Sequence, residues 1–259
     1  MLQERVPDGS IKRLVGKCLK VGVLEGEVLS WSESGTTQGS IISPLLGNIY
    51  LHYVLDLWFE RVVKPRLDGV AHLVRYADDF IITFQNQDDA TRVKEVLFKR
   101  MEKFDLVLHP DKTRLVPFQR PKRSLRSGKG PGTFDMLGFT FHWRRARSGA
   151  WVLGNKTKRK SSNKFLREIS SWCRRHRHWP VKEQHRKLRE KLHGHLNYFA
   201  VSGNSRCASA VVYHTKQIWV KWLRRRSQRA RKLTKEIFFS KLLRRFPLPR
   251  ANIRVRVWA

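Results

Sequence analysis

Residues 75–80, Arg-Tyr-Ala-Asp-Asp-Phe, constrain the fold of this chain more than any other stretch. They lie between two short apolar, β-prone runs at residues 73–74 and 81–82. This pattern predicts a β-hairpin whose turn carries Asp78 and Asp79. Two carboxylates at one turn repel each other unless a cation binds there. Mg²⁺ would suit such a turn, because proteins hold it through one or two carboxylates plus substrate phosphates. The alternative is a surface hairpin with a solvated Asp-Asp turn.

The charges are unevenly distributed along the 259 residues. Residues 1–118 contain 16 of the 54 lysines and arginines and 16 of the 21 acidic residues, which leaves 38 basic and 5 acidic residues for 119–259. The formal net charge of +33 therefore arises downstream and indicates a polyanionic partner such as a nucleic acid. We expect a neutral catalytic half followed by a basic binding half.

Cysteine spacing and hydropathy exclude several protein classes. The three cysteines never form Cys-x-x-Cys, so neither a zinc ribbon nor a disulfide framework is expected, and a reducing cytosol is the default. The most apolar stretch, residues 41–59, is interrupted by polar residues and does not predict a membrane span. Residues 1–5 lack the apolar core of a signal peptide. These features predict a cytoplasmic protein, in a bacterial-type cytosol or nucleoid, without a membrane partner.

Helix and strand patterns alternate over the first 118 residues, which is typical of an α/β or α+β layer structure. Apolar periodicity predicts helices over 10–24, from Ser43 onward and from 88 to 104, and strands over 106–108 and 113–118. On the third helix, Val96 and Phe104 are expected on the apolar face.

A glycine-bracketed polar loop, residues 35–40, precedes the second helix. Ser43 is expected to be the N-cap of that helix, with Pro44 at its first position. A polar loop that leads into a helix N-terminus can contact a phosphate or nucleotide, although a plain loop is the better explanation when this stretch is taken alone.

The second half begins with a basic loop rich in glycine and proline, residues 119–132. Strands are predicted over 134–143, with Gly138 inside, and over 151–153. Basic amphipathic helices then follow over 161–176, from Pro180, from Asn204, and from Thr234 to Phe246. We expect a helical bundle with outer faces rich in lysine and arginine.

Several motifs occur in the order found in one known family. They are Gln38-Gly39-Ser40 with Ser43-Pro44-Leu45-Leu46, then Tyr76-Ala77-Asp78-Asp79, then Lys112-Thr113, then Leu137-Gly138-Phe139. Together they resemble the palm of reverse transcriptases. The downstream region, with Gly203-Asn204-Ser205-Arg206 and Leu248-Pro249-Arg250, resembles the thumb and maturase domain of group II intron-encoded proteins. The resemblance implies an α+β fold, with a partial palm of antiparallel sheet and helices at 1–154 and a basic helical thumb/maturase domain at 155–259.

The resemblance also implies roles for individual residues. Asp78 and Asp79 match the catalytic aspartates of a two-Mg²⁺ site, and Lys112 matches the lysine near the leaving pyrophosphate. Expected contacts with substrate or nucleic acid are Tyr76 and Ala77 at the incoming nucleotide and primer end, Gln38 and Gly39 near the template and nascent pair, and Gly138 in the primer grip. The basic residues expected to contact RNA are Lys156, Lys158, Arg159, Lys160, Arg174, Arg175, Arg224 and Arg225.

The family pattern also includes another essential aspartate on an earlier palm strand, together with fingers. No matching strand precedes Asp78 in this sequence. We therefore expect an N-terminally truncated chain or one part of a split reading frame, in which the two-metal site is incomplete. The chain alone is expected not to polymerise DNA, and an upstream protein fragment is a further candidate partner.

The leading functional hypothesis is an RNA-directed DNA polymerase with intron maturase activity, which would bind intron and template RNA, DNA primer or cDNA, and dNTP. A second hypothesis is an RNA-binding splicing factor without polymerase activity. Interleaved tryptophans could then stack on RNA bases or simply form the bundle core, and they are Trp143, Trp172, Trp179, Trp219 and Trp222. A generic basic ribosome-associated protein, the third hypothesis, leaves the acidic hairpin unexplained.

Overall fold

A computed structural model gives the fold of the chain. It describes residues 3, 6–20, 42–122 and 132–256, and the backbone alone of 23–25 and 28–30. The described residues form helices and small antiparallel sheets, which confirms the α+β class. They divide into two compact units, residues 1–115 and 116–259.

The first unit contains a helix, a short hairpin, a long helix, a second hairpin and a final helix. Its elements are α1 (Gly9–Leu19), β1 (Val23–Glu25), β2 (Val28–Ser30), α2 (Ser43–Leu51), β3 (Ala71–Tyr76), β4 (Asp79–Phe84) and α3 (Gln87–Glu102). Helix α2 continues through π-helical turns at His52–Asp56 and Phe59–Val63 and a 3₁₀ turn at Lys64–Arg66. The pairs β1–β2 and β3–β4 are each antiparallel.

The core of the first unit lies between the continuation of α2, one face of the β3–β4 hairpin, and α3. Leu55 and Phe59 are fully buried, and Leu97 and Met101 of α3 are nearly so. Val96 is 51% exposed, so its predicted place on the apolar face is wrong, whereas Phe104 packs against the core.

The predicted strands at 106–108 and 113–118 are absent, since both segments are irregular. Helix α3 ends in a Schellman motif, in which Asp105 has a φ of 54° and Leu106 N–H donates to Met101 O. Leu106 and Leu108 pack against the core. Leu106 and Leu108 are therefore partly buried next to the helix terminus without a strand partner, whereas Val107 between them is 95% exposed.

The bounds or caps of the first two helices differ from those that the sequence predicts. The first helix ends at Leu19, and its N-terminus is capped by Asp8, whose Oδ1 accepts from the N–H groups of Ser10 and Ile11. The second begins at Ser43 itself, with Ile42 in the N-cap position, so the prediction that Ser43 caps this helix is wrong.

The second unit contains a three-stranded antiparallel sheet followed by helices. Its elements are β5 (Phe134–Met136), β6 (Phe139–Arg145), β7 (Trp151–Thr157), α4 (Arg159–Arg175), α5 (Val181–Phe199), α6 (Ser205–Leu223), α7 (Lys235–Ile237) and α8 (Leu243–Arg245). A 3₁₀ turn at Arg229–Lys232 and a π-helical turn at Phe238–Leu242 complete it. The sheet order is β5-β6-β7.

Gly138 lies in a turn and not inside a strand, contrary to prediction. Leu137 and Gly138 have positive φ of 49° and 78° and join β5 to β6, as in a type I′ hairpin turn. A Cβ on Gly138 would come within 3.2 Å of the Phe199 ring. Tyr198 donates through its hydroxyl to Leu137 O at 2.9 Å. The turn therefore packs against the end of α5.

Helices α4, α5 and α6 share one hydrophobic core with Phe238 and Leu248. Trp219 is fully buried and Trp172 is 9% exposed, so both belong to this core. Trp179, by contrast, is 42% exposed.

The three cysteines, Cys18, Cys173 and Cys207, are free thiols. Burial raises the pKa of Cys173 to about 12, although the charge of Lys191 opposes the shift. No helix in the described part of the chain is long and apolar enough to cross a membrane.

Candidate active site on the acidic hairpin

The β3–β4 hairpin brings four of the predicted site residues together. Tyr76 pairs with Asp79, so the connecting loop consists of only Ala77 and Asp78. Ala77 has a φ of 53°, a left-handed conformation that a tight two-residue turn demands. All four side chains are exposed. The predicted hairpin is therefore present, with Asp78 in the turn and Asp79 as the first residue of β4.

The hairpin has two different faces because side chains alternate along each strand. The inner face packs on the core through its apolar members Ala71, Leu73, Phe80, Ile82 and Phe84. On the outer face, Tyr76 is 66% exposed and Val74 58%. Asp79 lies directly opposite Tyr76 in the register and so shares this outer face.

Arg75 lies on the inner face of the hairpin, where its charge is neutralised by an ion pair. Its Nε and a terminal nitrogen donate to the two carboxylate oxygens of Asp56 at 2.7 and 2.6 Å. Its other terminal nitrogen donates to Asn48 Oδ1 and to Ala77 O, each at 2.9 Å. The Arg75 guanidinium thus connects the helix that starts at α2 with the backbone of the acidic turn.

Electrostatics keep the pair ionised. Burial by itself would raise the pKa of Asp56, but the hydrogen bonds and charge of Arg75, with a smaller contribution from His52, lower it below its ordinary value. The Asp56 hydrogen bond raises the pKa of Arg75. A bidentate pair of this kind is strong and geometrically specific. Both Asp56 oxygens are occupied by Arg75, so this carboxylate serves to position the turn.

The sequence interpretation missed this network. Asn48, His52 and Asp56 are spaced i, i+4, i+8, which places three polar groups in one row on an otherwise apolar helix. Arg75 has the same strand parity as the core residue Leu73. These two signals together could have predicted a polar pair between helix and hairpin.

A second polar network holds the entry to β3. The buried Asp89 carboxylate of α3 accepts from the backbone N–H groups of Asp68 and Gly69 at 3.4 and 2.9 Å, and Arg92 donates to it at 2.5 Å. Burial would raise the pKa of Asp89, but these donors lower it. The loop before β3 is thereby attached to α3, which fixes where the hairpin starts.

The other predicted catalytic residue lies in a separate segment. Lys112 is exposed in a turn closed by its own N–H donating to His109 O at 3.1 Å. Within the described residues it forms no ion pair with Asp78 or Asp79. Gln38 and Gly39, with the loop 35–40, lie outside the described residues.

The acid pair fits part of a Mg²⁺ site. Asp78 and Asp79 offer two exposed carboxylates on a turn of fixed backbone, which meets the requirement of one or two carboxylates completed by substrate phosphates. Among the described residues, no group of three or more acidic, histidine or cysteine side chains could hold a metal ion.

The predicted RNA-contacting residues of the second unit fall into two groups. Lys156, Lys158, Arg159 and Lys160 lie where β7 passes into α4, and Lys158 forms an ion pair with Asp135 at 2.9 Å. Arg174 and Arg175 end α4, and Arg224 and Arg225 follow α6. All but Lys158 are exposed.

Comparison with known proteins identifies two family matches. The reverse transcriptase (RNA-dependent DNA polymerase) family matches residues 6–141, and the group II intron maturase-specific domain matches residues 162–238. The group II intron-encoded protein LtrA of Lactococcus lactis subsp. cremoris is 24% identical over 287 aligned residues, which cover 79% of this chain and 46% of LtrA. An uncharacterized 91 kDa protein in the cob intron of Schizosaccharomyces pombe is 39% identical over 75 residues, 29% of this chain and 9% of that protein. The chain thus spans just under half the length of LtrA.

The first match covers more than half of the chain and includes the whole acidic hairpin and Lys112. The second includes α5, α6 and most of α4. The family that the ordered motifs indicate is therefore confirmed. The chain belongs to the reverse transcriptase (RNA-dependent DNA polymerase) family, in its group II intron-encoded form with a maturase-specific domain.

Proposed function

We propose that this chain acts in RNA-directed DNA synthesis and in the splicing and mobility of a group II intron. Its substrates would be intron and template RNA, a DNA primer or cDNA, and dNTP. The observation that carries the proposal is the pair Asp78 and Asp79 on a two-residue turn whose backbone is fixed by Arg75, within the segment that matches the reverse transcriptase family.

In this proposal Asp78 and Asp79 bind Mg²⁺ together with the phosphates of the substrate. Nucleotidyl transfer uses two metal ions about 3.5–4 Å apart, which activate the primer hydroxyl and stabilise the leaving oxygen. The carboxylates have to converge on one small volume, and the tight turn and its connection to Asp56 through Arg75 favour this. Lys112 would protonate the leaving pyrophosphate.

The remaining assignments are proposed from the family resemblance. Tyr76 and Ala77 would contact the incoming nucleotide and primer end, Gln38 and Gly39 the template and nascent pair, and Gly138 would belong to the primer grip. The exposure of Tyr76 beside Asp79 supports the first of these. The half-buried turn at Gly138 packs against Phe199 of α5, which supports a fixed position for the proposed primer grip.

We also propose a partial palm at residues 1–154 and a thumb/maturase domain at 155–259. The two family matches, 6–141 and 162–238, lie on either side of this boundary. The basic residues of the second domain would hold RNA phosphates, and they are Lys156, Lys158, Arg159, Lys160, Arg174, Arg175, Arg224 and Arg225.

Primer extension by purified 1–259 on an RNA template with Mg²⁺ and dNTP tests the polymerase assignment. Asp78→Asn is compared with Asp88→Asn, which changes an exposed acid at the start of α3. cDNA synthesis that is lost in Asp78→Asn and kept in Asp88→Asn would support the assignment and contradict the expectation that this chain alone does not polymerise DNA.

If 1–259 makes no cDNA, Mn²⁺ binding measured by electron paramagnetic resonance tests the metal site directly. The sample contains a DNA primer on an RNA template and a dNTP. Bound Mn²⁺ should fall in the double variant Asp78→Asn with Asp79→Asn and remain in Asp88→Asn. Equal Mn²⁺ binding by both variants would show that the hairpin aspartates do not bind the metal ion.

A splicing factor without polymerase activity is the second candidate function. It is supported by the second unit, which has its own hydrophobic core, and by the maturase-specific match at 162–238. A splicing assay with a group II intron RNA separates the two candidates. A pure RNA binder should splice equally well after Asp78 and Asp79 are changed to asparagine, because removing negative charge does not weaken phosphate contacts.

A further inference from the structure

The helices α4 and α6 end beside each other in the second unit. The guanidinium of Arg226, just after α6, donates to His178 O at 3.1 Å. One turn earlier, Trp222 Nε1 donates to Ser170 Oγ of α4 at 3.1 Å. The last turns of the two helices and the segments that follow them, residues 170–182 and 219–233, therefore lie side by side. We call this region the bundle end.

The bundle end is strongly positive. Its two segments contain 11 lysines and arginines and no aspartate or glutamate. None of these 11 side chains forms an ion pair within the part of the chain that the structure describes. Cations are favourable near helix C-termini, but this effect falls off within the last turn and does not require so many charges. Such a density of unneutralised charge indicates an anionic ligand.

An exposed tryptophan lies in the same region. Trp179 is 42% exposed, whereas Trp172 and Trp219 of the same region are core residues. Its ring contacts His176 edge to face at 4.2 Å between centroids, and Trp172 in the same way at 6.2 Å. An aromatic surface is thus left to solvent in a region that also carries 11 lysines and arginines.

The backbone that carries Trp179 is held by a buried side chain. Gln184 is 1% exposed, and its Nε2 donates to Trp179 O at 2.9 Å and to Arg177 O at 3.2 Å. Its Oε1 accepts from the core residue Trp219 at 3.0 Å. Residues 177–179 are therefore fixed to the core on one side, so Trp179 is presented in one backbone position. A ligand would not have to order this turn on binding, which favours affinity.

We propose that the bundle end binds an unpaired nucleotide, with the base stacked on Trp179 and the flanking phosphates held by the surrounding arginines. This inference rests on the proposed RNA-binding function and adds the class of structure that this surface recognises. Stacking on aromatic side chains is available only to bases that are not already stacked in a helix. The paired bases inside a duplex are stacked on both faces, so they would leave the tryptophan without a partner although the phosphates meet the charges, and an acidic peptide has no base to offer. The base surface is common to RNA and DNA, so the test contains both.

The experiment measures the affinity of the full chain for three probes of equal length, about 12 nucleotides. They are an oligo(A) RNA, an abasic oligomer with the same number of phosphates, and an RNA duplex closed at both ends by non-nucleotide linkers. Trp179→Ala should weaken oligo(A) binding by about fivefold or more, which is the range for one stacked base. Its affinity for the abasic oligomer and for the duplex should change by less than about twofold.

Two further variants control for structure. Trp179→Tyr keeps an aromatic ring and should retain most of the oligo(A) affinity. Tyr213→Ala removes a different exposed aromatic side chain, which lies on α6 and is 54% exposed. This substitution should leave all three affinities unchanged. An oligo(dA) arm shows whether the site prefers RNA, and either result is compatible with base stacking.

The outcomes separate this inference from the proposed function. If Trp179→Ala weakens all three probes equally, or none, the nucleotide site is wrong even though the chain binds RNA. If Trp179→Tyr loses as much oligo(A) affinity as Trp179→Ala, stacking is also wrong. If the unchanged chain binds no RNA probe at all, the RNA-binding function itself fails.

Discussion

Arg75 is the residue on which the geometry of the acid pair depends. It makes two hydrogen bonds to Asp56 and one to the carbonyl of Ala77, whose φ is positive. A non-glycine residue in that conformation needs support from its surroundings. The support comes from a guanidinium, whose planar fork reaches several acceptors at once.

Arg75→Lys should therefore loosen the hairpin although the charge is kept, since an ammonium cannot make the same bidentate contact. Loss of hydrogen bonds to charged groups costs about 1–3 kcal/mol, so amide exchange in β3 and β4 should become roughly 5- to 100-fold faster. Hydrogen exchange followed by mass spectrometry measures this. Arg61→Lys, an exposed arginine of the same unit, serves as the control, and equal exchange in the two variants would contradict the positioning role.

His195 provides a second residue-scale prediction. It is 9% exposed, and its ring stacks on Phe165 at 4.1 Å and contacts Phe199 at 4.7 Å. Its Nε2 has no hydrogen-bond partner in the described part of the chain. Burial lowers the pKa of His195 to about 4, because the apolar surroundings penalise the charged ring.

The sign of the pH effect follows from this shift. The unfolded chain binds a proton at His195 below about pH 6.5, whereas the folded chain does so only near pH 4. The free energy of unfolding should therefore fall as the pH drops between these values, by roughly 3 kcal/mol from this group. His195→Phe keeps the ring packing and should remove this part of the pH dependence in urea unfolding. The exposed His72→Gln should not, and an unchanged slope in His195→Phe would refute the assignment.

At the scale of elements, Asn204 links three parts of the second unit. Its Nδ2 donates to Thr157 Oγ1 and to Phe199 O, each at 2.7 Å, and its Oδ1 accepts from Thr157 N–H at 2.8 Å. One side chain, at the N-cap position of α6, thus satisfies polar groups at the end of β7 and at the end of α5. At 1% exposure it has little access to water that could replace these bonds.

Asn204→Ala should be strongly destabilising for this reason. The Thr157 N–H and the Phe199 carbonyl would lose their partner, and a buried unsatisfied group costs about 1–3 kcal/mol. We expect the free energy of unfolding to fall by about 2–4 kcal/mol in urea, followed by tryptophan fluorescence. Ser205→Ala changes the exposed neighbour and should have little effect, so similar losses in both variants would show that the bonds of Asn204 are not the cause.

The two hairpins show how far local sequence predicts an element. The sequence predicts the β3–β4 hairpin because a two-residue turn between apolar runs is a local pattern. For the β5–β6 hairpin the sequence predicts instead a single strand with Gly138 inside it. Leu137 at positive φ, which makes the turn, is not a residue that signals a turn, and its conformation depends on packing against α5.

For the whole molecule, the separation of charge along the sequence corresponds to the separation into units. The acid pair lies in the unit formed by residues 1–115, and most of the excess positive charge lies in the unit formed by 116–259. Each unit has its own hydrophobic core. The metal binding and the RNA binding that we propose should therefore respond to separate substitutions.

RNA affinity should depend steeply on salt, because each neutralised phosphate releases counterions. If about six to ten phosphates are contacted, affinity for a structured RNA should fall by roughly 10³- to 10⁵-fold between about 50 and 200 mM salt. Changing Arg174 and Arg175 to alanine should make the slope of log affinity against log salt less steep, by the amount that corresponds to about two lost phosphate contacts. The Asp78→Asn with Asp79→Asn variant should keep the original slope. A slope unchanged by the arginine substitutions would exclude the end of α4 from the RNA contact.

The sequence by itself determined the family, the hairpin with its two aspartates, and the positions of the main helices. These are properties of short segments or of motif order, which tertiary packing does not alter. The tertiary structure alone decided which polar and aromatic residues are buried. Arg75 forms its ion pair with Asp56, 19 positions away in the sequence, and Leu106 belongs to a helix terminus. Among the tryptophans, Trp172 and Trp219 lie in the core and Trp179 is exposed. Burial depends on contacts between segments far apart in the chain, and those contacts have no local signature in the sequence.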